Sequence, residues 1–169
     1  GEIHQFIAKP RMELGMKISV LSDLHLDFKP FEPVVLDADL VVLAGDIHTR
    51  DRGVKWANQA FSCEVLYLLG NHEFYGGHFD RTLEKARQAA ENHVHVIEND
   101  VFIKDGIRFL GCTGWTDFSA MGDVTAASAA ARSTMTDFRV IRAGSNFHKL
   151  RTDEVAARSR QSRAWLAAE

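Results

Sequence analysis

Residues 65–73 read VLYLLGNHE. An unbroken apolar run, 65–69, is stopped by Gly70 and followed at once by an amide, an imidazole and a carboxylate. A continuous apolar run of this length, ended by glycine or charge, has the form of a parallel β-strand covered on both faces. Two earlier stretches share the form. Residues 17–21 (KISVL) run into Ser22-Asp23-Leu24-His25, and residues 40–44 (LVVLA) run into Gly45-Asp46. Strands that each release polar groups at the carboxyl end predict an α/β fold with its site along one sheet edge, where open α/β sheets gather ligands.

The segments between fit that class. Val54, Ala57 and Phe61 share a helical face over 52–61, as do Phe79, Leu83, Ala86 and Ala90 over 79–92. Three β segments follow, at 93–97, 101–104 and 107–111, with Asp105-Gly106 as a hairpin turn between the last two. An Ala-rich helix is expected over 124–135. A terminal helix is expected over 154–168, with Thr152 or Asp153 as its N-cap. The order reads β-β-α-β-α-β-β-β-α-α.

Composition narrows the function. The 169 residues favour one domain, and 46% hydrophobic with 25% charged residues is ordinary for a soluble globular protein. A net charge of −3 gives no reason to expect bulk nucleic-acid binding. No apolar run approaches the roughly 18 residues that span a membrane. Cys63 and Cys112 lack a CxxC neighbour, which suggests two reduced thiols in a cytoplasmic protein. Residues 1–15 carry no clear period, and Met16-Lys17-Ile18 has the form of a protein start. They are expected to be a leader or an upstream extension, with a native strand over 3–8 as the alternative.

Asp23, His25, Asp46 and Asn71 supply the oxygen and nitrogen ligands that divalent metals take. Asp23 and His25 lie two residues apart at a strand end, where alternation points both side chains the same way. Asp46 can bridge two cations. Asn71 adds a neutral oxygen, which keeps the site able to admit a phosphate. His72 is left for the leaving group. Glu73 supports the site or begins a turn, and His48 is a substrate contact or a loop residue. A zinc-protease reading of His72-Glu73 with His78 fails, since H-E-x-x-H needs the second histidine one helical turn away and Gly76-Gly77 intervenes.

Asp23-x-His25, Gly45-Asp46 and Gly70-Asn71-His72-Glu73, in that order and each after its own strand, resemble the calcineurin-like metallophosphoesterase superfamily. The resemblance implies a four-layer α/β/β/α sandwich and a di-metal centre of Mn, Fe or Zn. By that analogy Asp23, His25 and Asp46 hold the first metal, Asp46 and Asn71 the second, and His72 is the catalytic histidine. The implied reaction is hydrolysis of phosphomonoesters or phosphodiesters, in small molecules or nucleotides, by a metal-activated hydroxide. The family pattern continues with a further histidine and a Gly-His-x-His, and neither His78, His93, His95 nor His148 supplies it. His93-Val94-His95 lacks the glycine and reads as the polar face of a half-exposed strand. His148 sits in a polar segment with no strand before it. Residues 16–169 are therefore expected to form a truncated domain with an incomplete second sheet, and its uncovered apolar face is expected to favour self-association.

The segment Thr113-Gly114-Trp115-Thr116-Asp117-Phe118 offers Trp115 and Asp117 as a wall of the substrate cleft, or else a surface turn. Arg139, Arg142, Lys149 and Arg151 read as a solvated face or as an attractor for an anion. The competing class is non-enzymatic: a vestigial metal-binding or scaffold module of the same fold. A nucleic-acid-binding domain is disfavoured by the charge and by the lack of a basic stripe with aromatics.

Overall fold

Strands β1 (Ile18–Leu21), β2 (Leu40–Ala44), β3 (Glu64–Leu68) and β4 (Val94–Val96) lie side by side in that order, all parallel. The computed structural model describes residues 15–32 and 37–169. The expected leader, apart from Gly15, and the alternative strand over 3–8 lie outside the described residues. Helices α1 (Arg52–Ala60) and α2 (Thr82–Ala89) make the connections from β2 to β3 and from β3 to β4. A parallel pair needs such a crossover, so the helices and the apolar runs specify the sheet together.

Alternation along the strands divides the core. Val41, Leu43, Val65, Tyr67, Val94 and Val96 face one way and are buried with Val54, Ala57 and Ala86 of the helices. Leu40 and Leu66 face the other way, with Ile97, and pack on Phe102 and Phe109. Those phenylalanines come from the antiparallel hairpin β5 (Asp100–Lys104) and β6 (Ile107–Gly111), where they pair across the ladder. Asp105 and Gly106 both have positive φ, 49° and 78°, as the tight turn between the strands requires. The hairpin, with Met16, packs over the Leu40 and Leu66 part of the second face. The cover stops short of β1: Val20 is 63% exposed and Ile18 42%. The reading of 17–21 as a strand buried on both faces is thereby corrected, because the hairpin does not extend over β1.

The C-terminal third departs most from expectation. Helix α3 spans Val124–Thr134, close to the expected range, with the Asp123 carboxylate accepting the Ala126 N–H at its start. A short helix α4 (Asp137–Val140) and a small antiparallel pair, β7 (Arg142–Ala143) and β8 (His148–Lys149), were not foreseen. His148 therefore does lie in a strand, with β7 before it. The last helix, α5, runs Thr152–Ala168. Its N-cap is Arg151 rather than Thr152 or Asp153, because the Glu154 carboxylate reaches back to accept the Arg151 N–H at 2.9 Å. Phe138, Ile141, Leu150, Val155 and Ala156 bring these elements into the main core.

Candidate metal centre

Beyond Leu21 the chain stays bonded to its neighbour while leaving strand geometry. The N–H of Asp23 donates to Gly45 O at 3.1 Å, that of His25 to Asp46 O at 3.0 Å, and that of Leu26 to Ile47 O at 2.9 Å. Asp23, His25 and Asp46 have φ of 55°, 45° and 55°. Left-handed backbone is costly outside glycine, and such positions cluster at functional sites. Asp23 and His25 thus come together through left-handed turns, not through the alternation of an extended strand end, which corrects the reason given for their pairing.

Two sets of side chains result. Ligand atoms of Asp23, His25 and Asp46 lie within 4.8 Å of one another, and so do those of His25, Asp27 and His72. His25 belongs to both sets, and its ring centroid is 4.3 Å from that of His72. Both Nδ1 atoms, of His25 and of His72, are buried without a hydrogen-bond partner. A buried polar atom left unpaired is costly, and a cation would satisfy it. The donors are carboxylate oxygens and imidazole nitrogens, the chemistry that Mn, Fe and Zn accept. On both counts the residues fit divalent metal.

Glu73 holds the two loops that carry these groups. Its side chain is fully buried. Oε2 accepts the N–H of Gly70 at 2.8 Å and of Asp46 at 3.1 Å, while Oε1 accepts the N–H of Ile47 and the Tyr67 hydroxyl, both at 2.9 Å. Burial pushes the Glu73 carboxyl above its ordinary value, and the Ile47 and Gly70 amides with the Tyr67 hydroxyl pull it back. Burial, then the Glu73 charge, raise Tyr67 well above the usual phenol range. Two glycines let the loops close. A Cβ on Gly70 would run into the Asp46 carboxylate and lie 2.7 Å from Asp46 N, and one on Gly45 (φ 88°) would lie 2.9 Å from Gly70 N. The His72 N–H donates to Asp46 Oδ1 at 2.9 Å, so the third motif also positions the second.

A model of calcineurin-like phosphoesterases matches residues 16–141. The chain belongs to this family. No curated protein matches it.

In this phosphoesterase domain Asn71 is oriented by a residue that sequence reading missed. Its Nδ2 donates to Asp137 Oδ1 at 2.8 Å, and Asp137 Oδ2 accepts the Tyr75 hydroxyl at 3.1 Å. A carboxylate only accepts, so the amide group facing Asp137 is the NH2 and Oδ1 is left as the free acceptor. Burial, with Asp137 next in weight, pushes Tyr75 up to about 12. The Tyr75 ring stacks on His72 with centroids 4.2 Å apart. Asp137 stands at the first residue of α4 and left no signal beyond a polar residue before an apolar one. Asp27 left a stronger signal, since it extends Asp23-x-His25 by another alternate position.

The outer candidates separate. His48 lines a cavity of about 440 Å³ with Leu26, Phe31, Arg52 and Trp56, and burial holds its imidazole below the ordinary value. Trp115 packs on Phe74 and Phe79, with centroids 6.0 and 5.8 Å away, and shares a cleft with Gly70 and Asn71. Asp117 is not brought to the group. It accepts from Ser119 and pairs with Arg163 of α5. His95 pairs with Glu64 beside Phe102, on the strand face foreseen for it. Cys63 and Cys112 are free. Among the described residues no helix is long and apolar enough to cross a membrane.

Proposed function

We propose that this domain hydrolyses phosphomonoesters or phosphodiesters of small molecules or nucleotides with the help of two divalent metals, manganese, iron or zinc. The observation that carries the reading is the set Asp23, His25 and Asp46, whose ligand atoms lie within 4.8 Å of one another. Asp23, His25 and Asp46 would hold the first metal, and Asp46 and Asn71 the second. Bound there, the metals would neutralise phosphoryl oxygens and supply hydroxide at neutral pH. Asp46 keeps one oxygen on the His72 N–H, so its placement is set by the backbone of the third motif. Asn71 offers Oδ1 without adding charge. His72 is the proton donor to the departing oxygen. Tyr75 holds one face of its ring, and Asp27 Oδ2 lies 4.0 Å from Nδ1, close enough for its charge to favour the protonated ring. His48 and Trp115 would form the walls of the substrate cleft, with Asp117 acting from outside the group through the loop that carries Trp115.

The test is metal analysis together with hydrolysis of bis(p-nitrophenyl) phosphate. Metal-dependent turnover in the parent chain, lost in Asp46→Asn, is the expected result. Metal bound with no turnover on mono- or diesters would instead support the scaffold reading. We also propose that the exposed apolar residues of β1 and of the hairpin draw two copies together, which light scattering over a concentration series would detect.

A further inference from the structure

The loop over residues 25–31 builds two features at once. His25 and Asp27 bring ligand atoms to the candidate metal centre, while Leu26, Pro30 and Phe31 line the cavity of about 440 Å³. Consecutive Cα atoms are about 3.8 Å apart, so the cavity wall begins, at Leu26, one residue from each of those ligands. The loop after β2 repeats the arrangement. Asp46 belongs to the metal centre, and His48, two residues on, lines the cavity. The Leu26 N–H donates to Ile47 O at 2.9 Å, which ties the two loops together between their ligand and wall residues. Phe28 stands on the same loop, with its ring centroid 6.0 Å from that of His25 and 6.1 Å from that of His72.

Helix α1 supplies the rest of the wall. Arg52, Trp56 and Gln59 line the cavity from one face of that helix, at the spacing that brings side chains together. Trp56 is braced from behind by Phe61, edge to face at 5.4 Å, and Phe31 meets it at 6.4 Å. Loop and helix thus form an aromatic corner, and Phe31 keeps 36% of its surface exposed there. Arg52 makes no ion pair among the described residues. A free guanidinium stacks readily on planar groups. The Nδ1 of His48 accepts the Thr49 N–H at 2.7 Å, so Nε2 carries the ring proton and is its donor.

We propose that this cavity seats a planar heteroaromatic base joined to the phosphate that the metal centre cleaves, so that the substrates are nucleotides rather than simple sugar or alkyl phosphates. A base has a π-face for Trp56 and Phe31, a plane on which Arg52 can stack, and polar edges for His48 and Gln59. A sugar or alkyl group offers the aromatic corner no such face. The volume is that of a small-molecule site. The sugar of a nucleotide bridges the short step from ligand residues to wall residues that both loops show. The proposal rests on the metal-centre reading for the reaction itself, but the seat for the base can be measured without metal.

The experiment titrates adenosine into protein stripped of metal with EDTA and follows tryptophan emission. Saturable quenching is expected in the parent and in Trp165→Phe, and its loss in Trp56→Phe. Phe31→Ala should weaken adenosine binding by about tenfold or more, and ribose should quench nothing. With Mn2+ restored, Phe31→Ala should lower kcat/KM for AMP by about tenfold while ribose 5-phosphate stays within about twofold. No quenching in the parent, or quenching that survives Trp56→Phe, would overturn the proposal. So would equal losses on the two esters. Adenosine bound by a chain that turns over neither ester when loaded with metal would uphold the seat for the base and reject the reading of the metal centre.

Discussion

Asp46 and Glu73 are both acids at the same sheet edge, and their surroundings give them opposite tasks. One Asp46 oxygen takes a backbone N–H and the carboxylate still joins Asp23 and His25, so its charge stays available to a cation. Asp46→Asn keeps the shape, loses that charge and should cut metal-dependent turnover by about a hundredfold or more with little change in melting temperature. Glu73 has no oxygen to spare, because both already accept from two donors each at 3.1 Å or less. Glu73→Gln would aim an NH2 at two of those donors. We expect it to cost about 2–4 kcal/mol in urea unfolding, nearly as much as Glu73→Ala, despite the matched shape. A Gln variant as stable as the parent would show that the loops are held by something else. Asp46 was legible from its glycine and its strand. The depth of Glu73's burial was not, since a glutamate three residues past a strand has no periodic context to place it.

The elements that carry the site are loops made rigid by small residues. Gly70→Ala should lower metal affinity by about tenfold, read by competition with a chromophoric chelator, while the sheet persists by far-ultraviolet circular dichroism. The reason is local: the added methyl would strike the Asp46 carboxylate and lie 2.7 Å from Asp46 N. Sequence reading located the parallel strands and the α1 and α2 crossovers because LVVLA and VLYLL leave no other economical fold. It missed α4, β7 and β8 because elements of four, two and two residues are shorter than any period that could announce them. That omission hid Asp137, and with it the reason why Asn71 presents its oxygen. The pairing of Asp23 with His25 was legible although strand alternation does not produce it. Their left-handed φ values are set by bonds to Gly45 and Asp46, contacts between segments that no local pattern encodes.

Across the whole molecule the sheet is unequal on its two faces, and the inequality makes a prediction that stability data can check. Leu40 and Leu66 lie under the hairpin at 0% and 1% exposure, so either one replaced by Ala should cost about 2–5 kcal/mol. Val20 lies on the same face of the sheet, since its partner in register is Val42, yet it is 63% exposed. On the outer face of the hairpin Ile103 is 64% exposed. Removing either from that exposed state loses little burial, so Val20→Lys with Ile103→Lys should shift stability by about 1 kcal/mol or less. Exposed apolar side chains on an open edge strand still offer a surface to another copy of the chain, and a lysine there opposes edge-to-edge pairing by charge. The double variant should therefore lower the scattering mass at high concentration without moving the urea midpoint. A parent chain that stays monomeric over the same concentrations would remove the case for self-association and leave the difference between the two faces as a matter of stability alone.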